Sequence, residues 1–310
     1  MKKAIVTGAT GFVGSAVVRE LLLQGIEVLA LGRKIWKEVD PKRLPESKRL
    51  TYIQVDVSEI SSLTEKIKEI GWVPGESCVF FNFAWSGKNR LADGTVKDQL
   101  KNVTNSANSI VIARKLGCTK FVNSGTVEES FVERYLEHNW QSKSYHSVHG
   151  IYAISKLAAR DMCKLLAYLQ KIEYVHTRFS VFVDGDLSAN SYIHTVLKKI
   201  LKGESYDAPH NNQLFDILPL EEGAKAFFLI GEKGRNKADY YIGSGKPRTL
   251  SKYFDQFKAA ISGLDYNDDD YLQSTMQVLG HDNFCINDLI CQTGFAIDVT
   301  FEDFIKKMVK

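Results

Sequence analysis

Near its N-terminus the chain reads Ala4-Ile5-Val6-Thr7-Gly8-Ala9-Thr10-Gly11-Phe12-Val13-Gly14, an apolar strand that runs into a glycine-rich turn. The residues that follow have an amphipathic pattern, which predicts a helix from Phe12 to Leu23. Gly8 permits a tight turn, Gly11 lets the backbone approach a phosphate, and Gly14 lets the helix lie close to the sheet. A helix that begins at such a turn offers N–H groups and partial positive charge to an anion. The stretch therefore predicts a strand, turn and helix that bind a pyrophosphate.

Strands and helices alternate through the first half of the chain. We predict strands at Ala4–Thr7, Glu27–Leu31, Leu50–Val55, Cys78–Phe83, Lys120–Asn123 and Tyr174–Phe182, and long helices at Val96–Leu116 and Ile151–Leu169. Helical crossovers between short apolar strands are typical of parallel sheets. The pattern predicts an α/β fold of the Rossmann type, a doubly wound parallel sheet with helices on both faces. In that context the glycine turn indicates a dinucleotide site.

The second half of the chain is less regular. Helices are predicted at Tyr192–Leu201 and Glu221–Leu229, with a polar loop at Asp207–Asn212 between them. We expect residues 1–178 to form an NAD(P)-binding Rossmann domain. We expect residues 179–310 to form a smaller C-terminal α/β domain that binds the substrate, with segments that return to the Rossmann sheet.

Composition limits the classes of partner. Of 310 residues, 44% are hydrophobic and 25% are charged, which is typical of a globular protein. The net charge is only +3 and the cations form no stripe, so we expect no nucleic-acid partner. No apolar run is long enough for a membrane span. The five cysteines have irregular spacings and no CxxC pair, which favours reduced thiols in a cytoplasmic protein.

The end of the second predicted strand indicates which dinucleotide is bound. An acidic residue there would bind the ribose 2′-hydroxyl of NAD, whereas a cation accommodates the 2′-phosphate of NADP. This strand ends Leu31-Gly32-Arg33-Lys34, with no acid at its tip. We therefore predict NADP(H), with Arg33 as the main phosphate contact and Lys34 in support, and keep NAD(H) as the alternative.

Tyr152 and Lys156 are candidate catalytic residues, four positions apart on a predicted helix and so on one face of it. A phenol with a pKa near about 10 is a poor acid or base at neutral pH. A nearby ammonium stabilises the phenolate and lowers the pKa of the tyrosine, which can then exchange a proton with a substrate oxygen as hydride is transferred. Thr126 follows the tip of the preceding strand, where its hydroxyl is expected to share that oxygen with Tyr152.

Taken together, these features resemble the extended short-chain dehydrogenases/reductases, specifically the NAD(P)-dependent epimerase/dehydratase family that acts on nucleotide-linked sugars. The matching features are Gly8/Gly11/Gly14, Asp56-Val57, Asn82-Phe83-Ala84, Asn102, Ser124-Gly125-Thr126, Tyr152/Lys156, Arg178 with Phe182, the stretch Asp216–Glu222, and Ile242-Gly243-Ser244-Gly245. They cover almost the whole chain, and their order is specific for the family without being specific for one reaction.

The resemblance implies roles for individual residues. Asp56 would meet the adenine amino group, Ala84 would line the cofactor near the pyrophosphate and ribose, and Lys156 would also bind the nicotinamide ribose. The full set of expected cofactor contacts is Gly8, Thr10, Gly11, Phe12, Val13, Gly14, Arg33, Lys34, Asp56, Val57, Phe83, Ala84, Asn102, Tyr152 and Lys156. Candidate substrate contacts are Trp85, Ser86, Glu128 and Ser180, although Trp85 would equally suit a packing role and Glu128 a solvated one. Relatives usually form dimers through the two long helices, so we expect a homodimer.

The chain also departs from the family at positions that usually hold the nucleotide diphosphate. Ser180 stands where relatives commonly have Asn, and Phe182-Val183-Asp184-Gly185 replaces the usual Tyr-Gly-Pro. Phe215 precedes Asp216 where many relatives have Arg. The identity of the sugar nucleotide is therefore left open.

Three reactions share this scaffold. A 4,6-dehydratase typically has Thr-Asp-Glu, but here the residues are Thr126-Val127-Glu128, without the acid that expels the hydroxyl. An epimerase favours tightly held NAD, whereas a reductase exchanges its cofactor and suits NADPH. We therefore expect an NADPH-dependent reductase of a nucleotide-linked 4-keto-6-deoxyhexose. The alternatives are an NAD-dependent 4-epimerase or dehydratase, and a non-catalytic NAD(P)-binding sensor.

No metal site is expected. His146 and His149 lack a third ligand at a diagnostic spacing, and the acidic run Asp268–Asp270 lacks the glycine and terminal glutamate of a calcium loop.

Overall fold

A computed structural model describes residues 1–75, 77–87, 95–137, 150–209, 212–264, 266 and 278–309. His146, His149 and Asp268–Asp270 lie outside these ranges. Among the described residues, no helix has both the length and the apolar character needed to cross a membrane.

The first half of the chain alternates strands with helices, as predicted. In order the elements are β1 (Lys3–Thr7), α1 (Phe12–Leu23), β2 (Glu27–Gly32), β3 (Leu50–Gln54), α2 (Leu63–Glu69), β4 (Cys78–Asn82), α3 (Val96–Lys115), β5 (Lys120–Ser124), α4 (Glu128–Glu137), α5 (Gly150–Gln170) and β6 (Glu173–Phe179).

The second half contributes short strands and further helices. They are β7 (Val181–Val183), α6 (Tyr192–Leu201), β8 (Leu214–Phe215), β9 (Ile217–Pro219), α7 (Leu220–Lys233), β10 (Asp239–Ile242), β11 (Arg248–Thr249), α8 (Leu250–Ile261), α9 (Asn287–Thr293) and α10 (Phe301–Val309).

Seven of the described strands form one parallel sheet in the order β10-β6-β5-β4-β1-β2-β3. The chain winds outward from β1 in one direction through β2 and β3, and then in the other through β4, β5 and β6. The order therefore reverses between β1 and β4, and ligands of such sheets bind at that point beyond the carboxyl ends of the strands. The Rossmann fold predicted from the sequence is confirmed.

Along the strands of the large sheet, alternate residues are buried in two separate apolar layers. Ala4 and Val6 of β1 pack with α1 and α7 on one face, while Ile5 packs with α2, α3 and α5 on the other. A third layer lies in the second half of the chain, where α6, α8 and α10 bury Leu197, Phe254 and Ile305. The first two layers fix the sheet between its helices, and the third forms a separate core beyond residue 180.

The predicted strand Tyr174–Phe182 is wrong at its end, because the strand breaks at Ser180. β6 stays in the large sheet through Phe179, whereas β7 pairs with β9 in a separate two-stranded sheet. The amide of Val181 donates to the carbonyl oxygen of Asp216 at 3.2 Å, so the backbone changes its hydrogen-bond partner at this point. Apolar residues lie on both sides of Ser180, and periodicity alone therefore does not reveal the break.

Candidate active site

The glycine turn has the geometry that close approach to a phosphate requires. Gly8 has φ +65°, a left-handed conformation that glycine adopts without strain. A Cβ atom on Gly14 would lie 2.3 Å from the carbonyl oxygen of Gly8, so the first turn of α1 lies directly on the glycine loop. α1 begins after Gly11 with no side-chain cap and no acidic residue in its first turn. These features fit the pyrophosphate of a dinucleotide, which would take the place of the missing cap.

Residues at the tip of β4 lie against this turn. The hydroxyl oxygen of Thr7 accepts hydrogen bonds from the amides of Phe83 and Ala84, both at 3.2 Å. A Cβ on Gly8 would lie 3.0 Å from the amide nitrogen of Ala84. The structure thus brings Phe83 and Ala84 together with the glycine turn, as a shared cofactor site requires.

The cations proposed to select the cofactor lie at the carboxyl end of β2. The side chains of Arg33 and Lys34 are both exposed. Their backbone is held from β3, because Tyr52 donates to the carbonyl oxygen of Lys34 at 2.6 Å and Gln54 donates to that of Arg33 at 3.0 Å. The backbone position is therefore fixed while both charged groups face solvent.

Asp56 begins a short 3₁₀ turn after β3. Its carboxylate accepts from the amide of Ser58 at 2.9 Å and from the Ser58 hydroxyl at 2.8 Å. The backbone hydrogen bond from Ser58 lowers the pKa of Asp56, and the nearby charge of Arg33 acts in the same direction. The carboxylate of Asp56 is therefore ionised and lies close to Arg33. A contact with the adenine amino group requires such an acceptor.

Asn102 of α3 binds Ser86, which lies just after β4. Its side-chain oxygen accepts from the amide of Ser86 at 2.8 Å and from the Ser86 hydroxyl at 3.0 Å, and its side-chain nitrogen donates to the Ser86 carbonyl oxygen at 2.8 Å. These bonds fix the backbone at Ser86, so both residues have a structural role whether or not they also touch a ligand.

Tyr152 and Lys156 are buried on one face of α5. The ammonium of Lys156 donates to the carbonyl oxygen of Ser124, at the carboxyl end of β5, at 2.8 Å. It also lies 3.9 Å from the centre of the Trp85 ring, and that ring meets the Tyr152 ring edge to face with centroids 5.9 Å apart. The structure therefore brings Tyr152, Lys156 and Trp85 together at the ends of β4 and β5.

Thr126 and Glu128 follow β5 on the same edge of the sheet. Thr126 is buried, and its hydroxyl oxygen accepts from the amide of Glu128 at 3.3 Å. Glu128 is half-buried at the start of α4. Val127 between them packs in an apolar cluster with Phe131 and Tyr241. The acid of the dehydratase motif is therefore replaced by a core side chain.

Ser180 is separated from this group along the chain by the break between β6 and β7. Its hydroxyl oxygen accepts from the amide of Asp216 at 3.3 Å. Burial raises the pKa of Asp216, although the hydroxyl of Ser244 and the amide of Gly245 donate to its carboxylate and act in the opposite direction. The hydrogen bond of Ser180 thus gives it a structural role at the break between β6 and β7. Its role as a substrate contact stays a prediction.

Sequence reasoning missed two buried residues beside the site, Glu129 of α4 and His176 of β6. A carboxylate oxygen of Glu129 accepts from the amide of Thr126 at 2.9 Å, and its other oxygen lies 2.9 Å from Nε2 of His176. A histidine within a predicted strand was an available signal, since His176 follows Tyr174 and Val175 in β6. No pattern in the sequence pairs it with Glu129.

The sheet order, the glycine turn and the Tyr/Lys pair on α5 define an NAD(P)-dependent enzyme of the extended short-chain dehydrogenase/reductase type. More narrowly, the chain belongs to the NAD dependent epimerase/dehydratase family, whose model matches residues 4–243. The family predicted from the sequence is confirmed, and the chain is an enzyme of the nucleotide-sugar epimerase/dehydratase type.

Individual relatives are distant but cover the chain. CDP-abequose synthase from Salmonella muenchen is 23% identical, over 99% of this chain and 97% of the relative. UDP-N-acetylglucosamine 4-epimerase from Methanobrevibacter ruminantium M1, in complex with UDP-N-acetylmuramic acid, has a TM-score of 0.74 at 20% identity, covering 99% of this chain and 97% of that one. The Bordetella bronchiseptica enzyme WbmG, in complex with NAD and UDP, has a TM-score of 0.69 at 18% identity, covering 100% and 94%. The two solved structures bear out the fold.

Proposed function

We propose that this protein is an NADPH-dependent reductase of a nucleotide-linked 4-keto-6-deoxyhexose. The observation that carries the proposal is the position of the Lys156 ammonium. It donates to the Ser124 carbonyl oxygen and lies over the Trp85 ring. Lys156 is one helical turn from Tyr152 on α5. This group lies at the carboxyl ends of β4 and β5, and β4 is the strand next to the glycine turn. An acid/base pair beside a dinucleotide site is what reduction of a carbonyl group needs.

One observation favours reduction over dehydration, and a second supports the substrate class. Val127 is buried among apolar side chains, so the position next to Thr126 has no group that protonates a leaving hydroxyl. The similarity to an enzyme named CDP-abequose synthase supports a nucleotide-linked substrate.

In this mechanism the residues of the chain bind the substrate carbonyl and supply one proton. When bound, the dinucleotide supplies the hydride that reduces the carbonyl carbon. The hydroxyls of Thr126 and Tyr152 hold the carbonyl oxygen, and Tyr152 donates its proton to that oxygen as the alcohol forms. The Lys156 ammonium stabilises the remaining phenolate by its charge, and a proton from solvent restores the phenol.

The cofactor preference is part of the proposal. Arg33 and Lys34 would contact the 2′-phosphate of NADP, since both are exposed at the tip of β2 and no acid stands there. Gly8 to Gly14 would hold the pyrophosphate, with Thr10, Phe12 and Val13 in the same turn. Asp56, Val57, Phe83, Ala84 and Asn102 complete the proposed cofactor site.

Homodimer formation, a cytoplasmic location and a division into two domains between residues 178 and 179 also remain proposals.

The outer face of α5 exposes Ile154, Met162, Leu165, Tyr168 and Leu169. Contiguous apolar surface of this kind marks an interaction site, and we propose that a second copy of the chain covers it.

The proposal is tested by mixing the purified protein with NADPH and nucleotide-linked 4-keto-6-deoxyhexoses and following the absorbance of the reduced nicotinamide. A reductase consumes one NADPH for each sugar reduced. Interconversion of two nucleotide sugars without net NADPH consumption would support the 4-epimerase alternative. Absence of consumption with every nucleotide tried would reject the reductase.

Tyr152→Phe provides the matched variant, because it removes only the hydroxyl. We expect kcat to fall by about 10²- to 10⁴-fold, the usual contribution of a positioned acid. Cofactor affinity, measured by fluorescence titration, should change little, since the ring and Lys156 remain. Unchanged turnover would show that Tyr152 is not the acid.

A further inference from the structure

A row of buried polar side chains crosses the carboxyl ends of four adjacent strands. Thr7 of β1 is in register with Asn82 of β4, Asn82 with Asn123 of β5, and Asn123 with His176 of β6. All four side chains are buried. They follow Ile5, Phe80, Phe121 and Tyr174 by two residues, so they lie on the face of the sheet that packs against α3 and α5.

The hydrogen bonds of this row run in one direction. The Thr7 hydroxyl oxygen accepts from two backbone amides, so its proton is donated to Asn82 Oδ1 at 2.9 Å. Asn82 Nδ2 therefore faces Asn123 Oδ1 and donates to it at 3.0 Å. Asn123 Nδ2 then faces His176 Nδ1 at 3.3 Å, which makes this ring nitrogen the acceptor. Backbone N–H groups only donate. The two that bind Thr7 therefore fix the orientation of the side-chain amides of Asn82 and Asn123.

Glu129 is the final acceptor. With Nδ1 accepting, the proton of His176 lies on Nε2, which donates to Glu129 Oε2 at 2.9 Å. The other carboxylate oxygen accepts from the Thr126 amide at 2.9 Å. Arg178 Nε lies 3.9 Å from the same carboxylate and supplies a countercharge for this buried group. The amides of Phe83 and Ala84 on the cofactor side and the amide of Thr126 on the substrate side thus belong to one chain of hydrogen bonds.

We infer that Glu129 is a positioning residue that sets the place of Thr126 relative to the cofactor side of the site, acting through His176 and the strand-end asparagines. Its carboxylate suits this role because each of its two oxygens accepts from a different donor. A neutral amide at this position has one acceptor atom only, so one of the two donors would face another donor. The inference rests on the proposed function, because it assumes that Thr126 binds the substrate oxygen.

Glu129→Gln tests the inference, with Glu133→Gln as the control. Glu133 lies one turn further along α4, is partly exposed, and pairs with Arg160 and Arg178. We expect Glu129→Gln to lower kcat by roughly tenfold or more, as a mispaired buried donor implies, with cofactor affinity within about threefold of wild type. Glu133→Gln should stay within about twofold of the wild-type kcat.

A double-mutant cycle separates positioning from general stability. In a Thr126→Val background, which lacks the hydroxyl, Glu129→Gln should lower kcat by less than about twofold, because there is no longer a hydroxyl to misplace. Additive losses would overturn the inference.

The tautomer of His176 gives a readout that needs no variant at Glu129. In the full-length protein labelled with ¹⁵N-histidine, with His176→Gln used for assignment, we expect a neutral His176 ring protonated at Nε2. A ring protonated at Nδ1 in an active enzyme would overturn the inference alone. Absence of keto-sugar reduction in an enzyme with the expected tautomer would count against the proposed function alone.

Discussion

Trp85 has contacts with both Tyr152 and Lys156, the proposed catalytic pair. Its ring lies 3.9 Å from the Lys156 ammonium and meets Tyr152 edge to face, and its indole N–H donates to Gln99 Oε1 at 2.8 Å. Gln99 is buried on α3, so the plane of the ring is fixed from a second helix. An ammonium over an indole face is attracted by the negative face of the ring. Trp85 therefore helps to hold Lys156 at the Ser124 carbonyl oxygen.

Replacing Trp85 tests that interpretation. We expect Trp85→Leu to lower kcat by about 2- to 30-fold, which corresponds to the usual cation–π free energy of about 0.5–2 kcal/mol. Trp85→Phe keeps an aromatic face and should lose less. The measurements are kcat for each variant and thermal unfolding to verify folding. Equal rates for the two variants would show that the ring acts only by filling space.

Arg33 determines the cofactor preference if the proposal is correct. Arg33→Ser should lower the ratio of kcat/KM for NADPH to that for NADH by about 10-fold or more, because a charge-assisted hydrogen bond contributes about 1.5–3 kcal/mol. Lys37→Ser is the control, since Lys37 is also exposed and lies four residues further on. A ratio that falls equally in both variants would indicate a general electrostatic effect instead of a specific contact.

The placement of Tyr152 and Lys156 on one face of a helix was predictable from the sequence, whereas their neighbours were not. Tyr152 and Lys156 share a helix face because of their spacing alone, and Thr126 is placed by the end of β5. The contacts of Trp85 with Lys156, and of Glu129 with His176, join residues on different elements. Their pairing depends on how helices pack over strand ends, and a single sequence has no local pattern that specifies it.

The contact between the glycine loop and α1 makes a prediction about a whole element. A methyl group at Gly14 would meet the Gly8 carbonyl oxygen at 2.3 Å, so α1 must move away from the loop. We expect Gly14→Ala to lower the free energy of unfolding by about 1–3 kcal/mol, the usual cost of overpacking, and to weaken dinucleotide binding.

Gly150→Ala is the matched control, because no atom of the described residues lies within 4 Å of a Cβ at that position. Thermal unfolding and fluorescence titration with the dinucleotide should distinguish the two variants. If Gly14→Ala bound the dinucleotide as wild type does, the packing of α1 on the loop would not matter for the site.

Helix boundaries were predictable where glycine ends the helix. α1 and α6 have the predicted bounds, and α3 ends one residue before the predicted Leu116, just ahead of Gly117 with φ +83°. α4 was not predicted, although it is ten residues long. Its first turn is held by a local bond, since the Glu129 side chain accepts from the amide of Thr126 three residues earlier, as in a capping box.

At the level of the whole molecule, the outer face of α5 predicts the oligomeric state. A charged residue in the proposed interface would be buried without a partner, so we expect Leu165→Glu to convert a dimer to a monomer. The molar mass from light scattering after size-exclusion chromatography measures this. Leu23→Glu is the control, because Leu23 is 81% exposed on α1. A wild-type protein that already elutes as a monomer would contradict the proposal.

The doubly wound sheet was predictable because its short apolar strands alternate with helices along the chain. The small sheets formed by β7 with β9 and by β8 with β11 were not, because strands of two or three residues carry no periodicity of their own. Their pairing is determined by the packing of the second half of the chain.

The N-terminus of α1, which has no side-chain cap, affects how this enzyme should be handled in solution. Sulfate or inorganic phosphate in a buffer would compete for the same amide groups, and a ligand that binds only the folded chain stabilises it by about 2.7 kcal/mol at a hundredfold excess over its Kd. Such salts would protect the protein during storage. They would also raise the apparent KM for the dinucleotide, so kinetic constants are best measured in a zwitterionic buffer.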